Sequence, residues 1–261
     1  MMWTKAAVFG LILAAAAQDP AADEKKKKEE EAKAKITDFK TELKKCKSAG
    51  DICLAIQGLG SLQHPKIMDE LRVWLFNPDA EICAAAGEQT SKYSKDPKAA
   101  DLLMTAAKGR REKSGEGLIK CLRYAGDVGF KPIAPMFNPY FRNKNTDVAR
   151  EAVDSLGKLR SAYSIEPLIK LLREIEGTLD NTGVGGVGGL PGGIGGGLPG
   201  TNLPGGAGGA GSPEEEMRKR QNELKPAVER ALKNITDEKW GTAKEWDTWW
   251  KKNRGTFKEK E

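Results

Sequence analysis

Four tryptophans near the C-terminus are spaced as a binding site could be. They are Trp240, Trp246, Trp249 and Trp250, which fall within eleven residues of "KWGTAKEWDTWWKKN". Indole faces stack on sugars, so an exposed cluster could form a platform for a glycan or a small ligand. Thr242 and Glu245 have capping-box spacing, so a helix should begin there and carry the last three rings on one face. A single apolar face on a terminal helix also suits a structural cap, and we predict that the rings are buried in this role.

The other reactive residue types form no catalytic pattern. His64 is the only histidine and has no obvious Ser, Cys or second His partner. The segment "GVGGVG" at 183–188 satisfies G-x-G-x-x-G, but a dinucleotide site requires it to follow a strand and open a helix. The acidic residues lack the spacing of an EF-hand loop. We therefore predict no catalytic residue, cofactor or metal, and no enzymatic activity.

The four cysteines are Cys46, Cys53, Cys83 and Cys121. They lack the paired C-x-x-C spacing of a zinc site. Cys46 and Cys53 flank "KSAGDI", which is typical of a turn between two helices, so they could face each other as a disulfide. The sequence favours this pair over Cys83–Cys121. It leaves open that all four are free thiols acting as small apolar side chains.

The N-terminus has the features of a signal peptide over residues 1–17. "MMWTK" supplies a basic start, "AAVFGLILAAAA" an apolar stretch, and Ala15–Ala17 a small-x-small cleavage site. The apolar stretch is shorter than the about 20 residues that a membrane-spanning helix needs. The alternative to a cleaved signal peptide is an uncleaved anchor helix. We expect export to the periplasm or the extracellular space, with no membrane span after cleavage. A charged leader at residues 18–33 should follow.

The charge distribution excludes an obvious nucleic-acid surface. The chain has 43 basic and 37 acidic residues, a formal net charge of +6, and the two signs are interleaved. Nucleic-acid binding normally requires a one-sided basic stripe, which this pattern does not provide. We therefore expect no nucleic-acid partner.

Four segments repeat one pattern of small and apolar residues: Ala55–Gly60, Ala86–Ser91, Cys121–Gly126 and Ala152–Gly157. Their first positions are 31, 35 and 31 residues apart, a period typical of solenoids. Each lies in a helical pattern followed by a second helical pattern, and no segment alternates as a strand does. In the fourth copy, Thr146 or Asp147 should cap the first helix and Gly177 should end the second. The fold class is therefore all-α.

These units resemble HEAT repeats of the short kind, over about residues 48–176. "TDVAREAVDSLGKL" is similar to the family's first helix, and "SIEPLIKLL" and "FKPIAPMF" to the opening of its second helix. The tryptophan segment resembles a W-x-x-W-W tail that closes many exported bacterial HEAT-repeat proteins. The resemblance implies a right-handed α-solenoid with a C-terminal Trp-rich helical cap. It brings no catalytic residues.

The resemblance also implies a protein-binding scaffold whose partner, an unidentified protein, binds the concave face lined by second helices. Pro139 should break the second helix of the third unit. Phe137, Tyr140 and Phe141 are then candidates for partner binding, together with Lys170 and Arg173 on the next second helix. The alternative is that the aromatic side chains pack inward. The alternative function is a glycan- or small-ligand-binding module that uses the tryptophans.

The chain should therefore divide into five segments. After the signal peptide and the leader come a repeat domain (34–176), a Gly-rich flexible loop (177–212) and a C-terminal helical cap packing on the solenoid (213–261). Residues 183–211 contain sixteen glycines and too little apolar area to offset the entropy of ordering them. Ser212 and Pro213 should begin the first helix of the cap.

Overall fold

The computed structural model describes residues 20–110, 115–182 and 213–259, and these residues form helices and turns without a strand. The all-α fold class is confirmed. The described α-helices are α1 (Pro20–Leu43), α2 (Ala49–Leu59), α3 (Pro65–Leu75), α4 (Ala80–Ser91), α5 (Pro97–Gly109), α6 (Glu116–Val128), α7 (Thr146–Leu159), α8 (Ile165–Thr182), α9 (Pro213–Thr236) and α10 (Ala243–Asn253). Two 3₁₀ segments, Lys131–Tyr140 and Ala162–Ser164, lie between them.

Several predicted segments lie outside these residues. The signal peptide at 1–17 and residues 183–212 of the Gly-rich segment are not among the described residues. The predicted start of that segment at Gly177 is wrong, because α8 continues to Thr182. Within the described ranges, no helix has the length and apolar character needed to cross a bilayer.

The helices form two layers, an arrangement compatible with an α-solenoid. The first-helix layer consists of α2, α4, α6, α7 and α9, each packed on the next. The second-helix layer consists of α3, α5, the 3₁₀ segment Lys131–Tyr140, α8 and α10. Each first helix is followed in sequence by its second helix, so the predicted helical pairs are present.

A fifth unit follows the four that the sequence indicates. α9 packs on α7 at the place of the next first helix, and α10 packs on α8. Residues 231–236, "ALKNIT", match the first half of the pattern but end in Ile235 and Thr236. Ala231, Leu232 and Ile235 are buried as their counterparts are. Ala231 stands 79 residues after Ala152. The Gly-rich segment breaks the period and hides this copy from sequence reasoning.

Gly126 and Gly157, which end the third and fourth copies of the pattern, allow successive first helices to approach closely. A Cβ atom on Gly126 would stand 2.8 Å from the Cβ of Ser155 on α7. A Cβ on Gly157 would stand 3.0 Å from the Cα of Ala231 on α9. These distances leave no room for a larger residue without a shift of the neighbouring helix.

Side chains at the helix starts define where the elements begin. Ser48 and Asp51 form a capping box on α2, and Thr242 and Glu245 form the predicted one on α10. His64 caps α3 through its Nδ1, which accepts the N–H of Lys66 at 3.2 Å. The only histidine therefore has a structural role.

The N-cap of α7 differs from the prediction. Asn145 occupies this position, and its Oδ1 accepts the backbone N–H of Asp147 at 2.9 Å. Thr146 is the first helical residue. An Asn side chain is short enough to bond the N–H two residues ahead, which favours it at this position.

α1 runs without a break through the boundary predicted after residue 33. Ala32 in the charged leader and Phe39 beyond the boundary are both buried. Phe39 meets Trp74 of α3 edge-on, with ring centroids 5.9 Å apart. Glu29 pairs with Lys66 of α3 at 2.7 Å. Residues 20–33 of the leader are thus part of a helix that packs on the first unit.

The predicted Cys46–Cys53 disulfide is absent from the structure, where all four cysteines, which lie within the described ranges, are free thiols. The Cys46 thiol turns back along the end of α1 and donates to the carbonyl of Glu42 at 3.4 Å. Burial is the main cause that raises the pKa of the Cys53 thiol, followed by the nearby carboxylates of Glu81 and Asp79.

We predict that Gly126→Ala lowers the free energy of unfolding by about 1–3 kcal/mol, because the added methyl group must displace α7. Gly58→Ala is the matched control. A Cβ at this exposed position of α2 meets no atom within 4 Å. The control should gain up to about 1 kcal/mol from helix propensity. Urea unfolding measures both, and equal effects of the two substitutions would contradict the packing role of Gly126.

Candidate functional site

A groove of about 990 Å³ opens in the second-helix layer between the 3₁₀ segment Lys131–Tyr140, α8 and α10. Its lining residues are Pro135, Asn138, Pro139, Phe141, Arg142, Ala162, Tyr163, Glu166, Pro167, Lys170, Leu171, Glu174, Trp250 and Arg254. Residues from the third, fourth and fifth units therefore contribute to one surface.

The apolar part of the lining consists of rigid side chains. Pro135 and Pro139 come from the 3₁₀ segment, and Pro167 from the first turn of α8. Tyr163 is 74% exposed and stands at the edge, and Trp250 closes the α10 side. Proline and aromatic side chains lose little conformational freedom on binding, so this lining favours association.

The charged lining residues that remain outside the Arg142–Glu174 ion pair carry a net positive charge. Arg142 and Glu174 form an ion pair at 2.9 Å across the groove. Lys170 and Arg254 form no ion pair with any described residue. Glu166 is the remaining acidic residue of the lining. The groove therefore presents two cations that a ligand could neutralise.

One wall of the groove is held in place from α9. The guanidinium of Arg220 donates to the carbonyls of Phe141 at 3.0 Å and Lys144 at 3.3 Å, and also to that of Asn143. Burial lowers the pKa of Arg220. The sequence does not indicate this role, because the partners of Arg220 are backbone carbonyls 76–79 positions earlier in the chain. Any residue type carries such a carbonyl, so no motif reveals the contact.

The other wall depends on the position of α10. Glu176 of α8 accepts the N–H of Ala243, the first residue of α10, at 3.0 Å and also contacts Lys225 of α9 at 3.3 Å. A carboxylate at a helix N-terminus is favoured by the exposed N–H groups and the helix dipole. Glu176 thus joins α8, α9 and α10.

Comparison with known protein families agrees with the helical pairs. Residues 148–174, which run from α7 into α8, match the family model described as PBS lyase HEAT-like repeat. The chain contains a HEAT-like repeat. Among curated proteins, none matches the chain. The matched repeat is the unit whose second helix supplies Glu166, Pro167 and Lys170 to the groove.

The predicted aromatic binding patch beside this HEAT-like repeat is wrong as an exposed surface. Phe137, Tyr140 and Phe141 are 0%, 3% and 7% exposed. Pro139 does not end the helix outright, because the segment adopts 3₁₀ geometry and turns these rings inward. Only Phe141 reaches the groove lining.

The two predicted cationic residues have different positions. Lys170 lines the groove and is exposed. Arg173 lies outside it and contacts Asp247 of α10 at 3.5 Å. Hydrogen bonding to Lys251, and then the charges of Lys251 and Arg173, lower the pKa of Asp247. Arg173 therefore takes part in the contact between α8 and α10.

The four tryptophans are not equally buried. Trp246 is 1% exposed, and its Nε1 donates to the carbonyl of Trp240 at 3.1 Å. Trp249 and Trp250 are half-buried, and both meet Phe257 edge-on at 6.2 Å and 5.6 Å between centroids. Trp240 is 37% exposed.

Trp240 also lines a smaller pocket of about 430 Å³ on the α9 side, with the exposed basic residues Arg230, Lys233 and Lys239. Of the four tryptophans, Trp240 is the most exposed. Across the described ranges, no three His, Cys, Asp or Glu side chains are grouped as metal ligands.

We predict that Arg220→Lys lowers the free energy of unfolding by about 1–3 kcal/mol, because an ammonium group cannot bond three carbonyls in the geometry of a guanidinium. Arg230→Lys on the same helix is the control. Arg230 is exposed and makes one ion pair with Asp154 at 3.2 Å. Its replacement should change stability by less than about 0.5 kcal/mol. A loss of similar size in both variants, measured by urea unfolding, would argue against the anchoring role.

We predict that Trp246→Ala lowers the free energy of unfolding by about 3–5 kcal/mol, because it removes a fully buried ring that anchors α10 in the core. Trp240→Ala should cost well under half of this loss, since its ring is partly exposed and the carbonyl that accepts the Trp246 Nε1–H remains. Thermal unfolding of both variants provides the measurement. A folded Trp246→Ala protein of unchanged stability would contradict a structural role for the cluster.

Proposed function

We propose that this protein is a non-catalytic scaffold that acts after export and binds a partner protein through the groove. The observation that supports this proposal is the groove itself. It combines a rigid apolar lining with two cations, Lys170 and Arg254, that have no acidic partner among the described residues. Solenoids commonly use such extended surfaces between repeats for protein binding.

The chemistry of the groove indicates the kind of partner. Its volume of about 990 Å³ is at the upper end for a small-molecule site, so it suits several residues of an extended peptide. Apolar side chains of such a segment would contact Pro135, Pro139 and Trp250. Acidic side chains would neutralise Lys170 and Arg254 and increase the rate of association. We therefore propose a segment that carries both apolar and acidic residues.

The finer features of the fold belong to the same proposal. We propose that the helical array is a right-handed solenoid with the groove on its concave side, and that α10 with its tryptophans ends it. The burial of Trp246 and the contact of Glu176 with the N-terminus of α10 support this role. We also propose that the protein is bacterial and that residues 1–17 are cleaved during its export.

The second candidate function is glycan binding at the smaller pocket. The exposed ring of Trp240 and the three basic residues beside it favour this function specifically. An aromatic face can stack on a sugar ring, and the basic side chains can donate hydrogen bonds to its hydroxyls or acidic groups. The ligand would then bind on the α9 side of α10, away from the groove.

We predict that Lys170→Glu with Arg254→Glu weakens partner binding at least about tenfold, because the acidic segment then meets like charges. The control is Lys108→Glu with Lys244→Glu. It changes the net charge equally at exposed positions outside the groove. Both variants are compared with the unmodified protein in a pull-down from an extract of exported proteins, followed by titration of the recovered partner.

Photo-crosslinking locates the bound partner. A benzoylphenylalanine at position 163, on the edge of the groove, should crosslink the partner, whereas one at position 108 should not. Equal weakening by the two charge-reversal variants would refute binding through the groove. Recovery of a polysaccharide instead, with binding lost in Trp240→Ala, would establish the second candidate function.

A further inference from the structure

Two buried cysteines from different repeats lie side by side. Cys83 on α4 and Cys121 on α6 are 0% and 1% exposed, and their Sγ atoms are 3.6 Å apart. Cys121 opens the third copy of the repeated pattern, and α4 packs directly on α6. The two thiols therefore occupy the contact between the second and third units of the first-helix layer.

This arrangement differs from that of the other two cysteines. Cys46 and Cys53 are only partly buried, and the Cys46 thiol donates to the carbonyl of Glu42. The Cys83 thiol also contacts a backbone carbonyl, that of Leu75 at 3.3 Å, but it remains in contact with Cys121. A disulfide requires sulfur atoms about 2.05 Å apart, so Cys83 and Cys121 need to approach by only about 1.5 Å. α4 and α6 are already in contact, so a small movement of the two side chains and their helices during folding can close this distance.

We propose that Cys83 and Cys121 form a disulfide that joins the second and third units when the protein folds in the presence of a small-molecule disulfide such as oxidised glutathione. This inference does not depend on the proposed binding function. It assigns the cross-link to the pair that the spacing along the chain disfavours.

The chemistry of the step is thiol–disulfide exchange. The Cys83 thiolate attacks one sulfur of glutathione disulfide and releases a glutathione thiolate. The Cys121 thiolate then attacks the Cys83 sulfur of the mixed disulfide and releases the second. Two cysteine thiols are oxidised, one glutathione disulfide is reduced to two molecules of glutathione, and the two cysteine protons pass to the released thiolates.

The surroundings of the pair favour Cys83 as the first nucleophile. The hydrogen bond with Cys121 is the main cause that lowers the pKa of Cys83, and the charge of Arg110 adds to it against the effect of burial. The same hydrogen bond and burial raise the pKa of Cys121. A thiolate, and not a thiol, attacks a disulfide, so Cys83 is the favoured first nucleophile once folding has brought the two thiols together and before the contact between α4 and α6 closes over them.

Burial also determines when the reaction takes place. Glutathione disulfide cannot reach thiols that are 0% and 1% exposed without an opening of the contact between α4 and α6. Oxidation should therefore be fast during refolding and slow in the folded, reduced protein. Once formed, the bond closes a loop between residues 83 and 121 and restricts the unfolded chain, which stabilises the fold.

The test is to refold the purified, reduced protein in a buffer of reduced and oxidised glutathione. The expected product is about 2 Da lighter than the reduced protein, with two alkylatable thiols after unfolding and a Cys83–Cys121 peptide in the proteolytic map. Its midpoint of urea unfolding should be higher than that of the reduced protein, and dithiothreitol should reverse the shift.

Two double variants serve as matched controls. Cys46→Ala with Cys53→Ala should still form the cross-link, whereas Cys83→Ala with Cys121→Ala should retain two free thiols under the same conditions. If the second variant does not fold, the peptide map of the unmodified protein still decides. A Cys46–Cys53 bridge, stable glutathione adducts or four free thiols in the refolded protein would overturn the proposal.

Discussion

The close approach of successive first helices is the contact on which the rest of the structure depends. At Gly126 and Gly157 the neighbouring helix comes so near that a single methyl group would displace it. Ser155 strengthens one of these contacts, because its hydroxyl donates to the carbonyl of Leu122 at 3.0 Å. The distance between first helices sets the distance between units. It therefore also sets the spacing of the second helices, which supply the groove.

The groove exists because one second helix departs from α-helical geometry. Pro135 and Pro139 lack the N–H groups that an α-helix would use, so residues 131–140 adopt a 3₁₀ segment instead. Bonds such as that from the Phe141 N–H to the Asn138 carbonyl, at 3.2 Å, span three residues. The aromatic side chains of the segment pack inward, and its prolines remain on the surface. The same prolines thus shape the core and line the space beside α8.

Features that depend on residues near each other along the chain could be predicted from the sequence, whereas those that depend on contacts between distant segments could not. Helical pairs, the cap at Thr242 and the proline at the start of α3 follow from local spacing, and the structure contains all three. The fifth unit was missed because the glycines interrupt the period. The inward rings of residues 137–141 and the contacts of Arg220 depend on how units pack, which no single segment encodes. The direction of the Cys46 thiol depends on its side-chain rotamer, which the positions of the cysteines along the chain do not determine.

The tryptophan segment affects the groove through position more than through direct contact. Trp246 is buried and anchors α10 in the core, and only Trp250 of the four reaches the groove lining. A ring that holds a helix in place cannot also leave the core to bind a ligand, because its burial is what stabilises the helix. Trp240 is the ring that is free of this conflict. The two candidate functions therefore use different surfaces beside α10, and both depend on the buried Trp246 ring that anchors this helix.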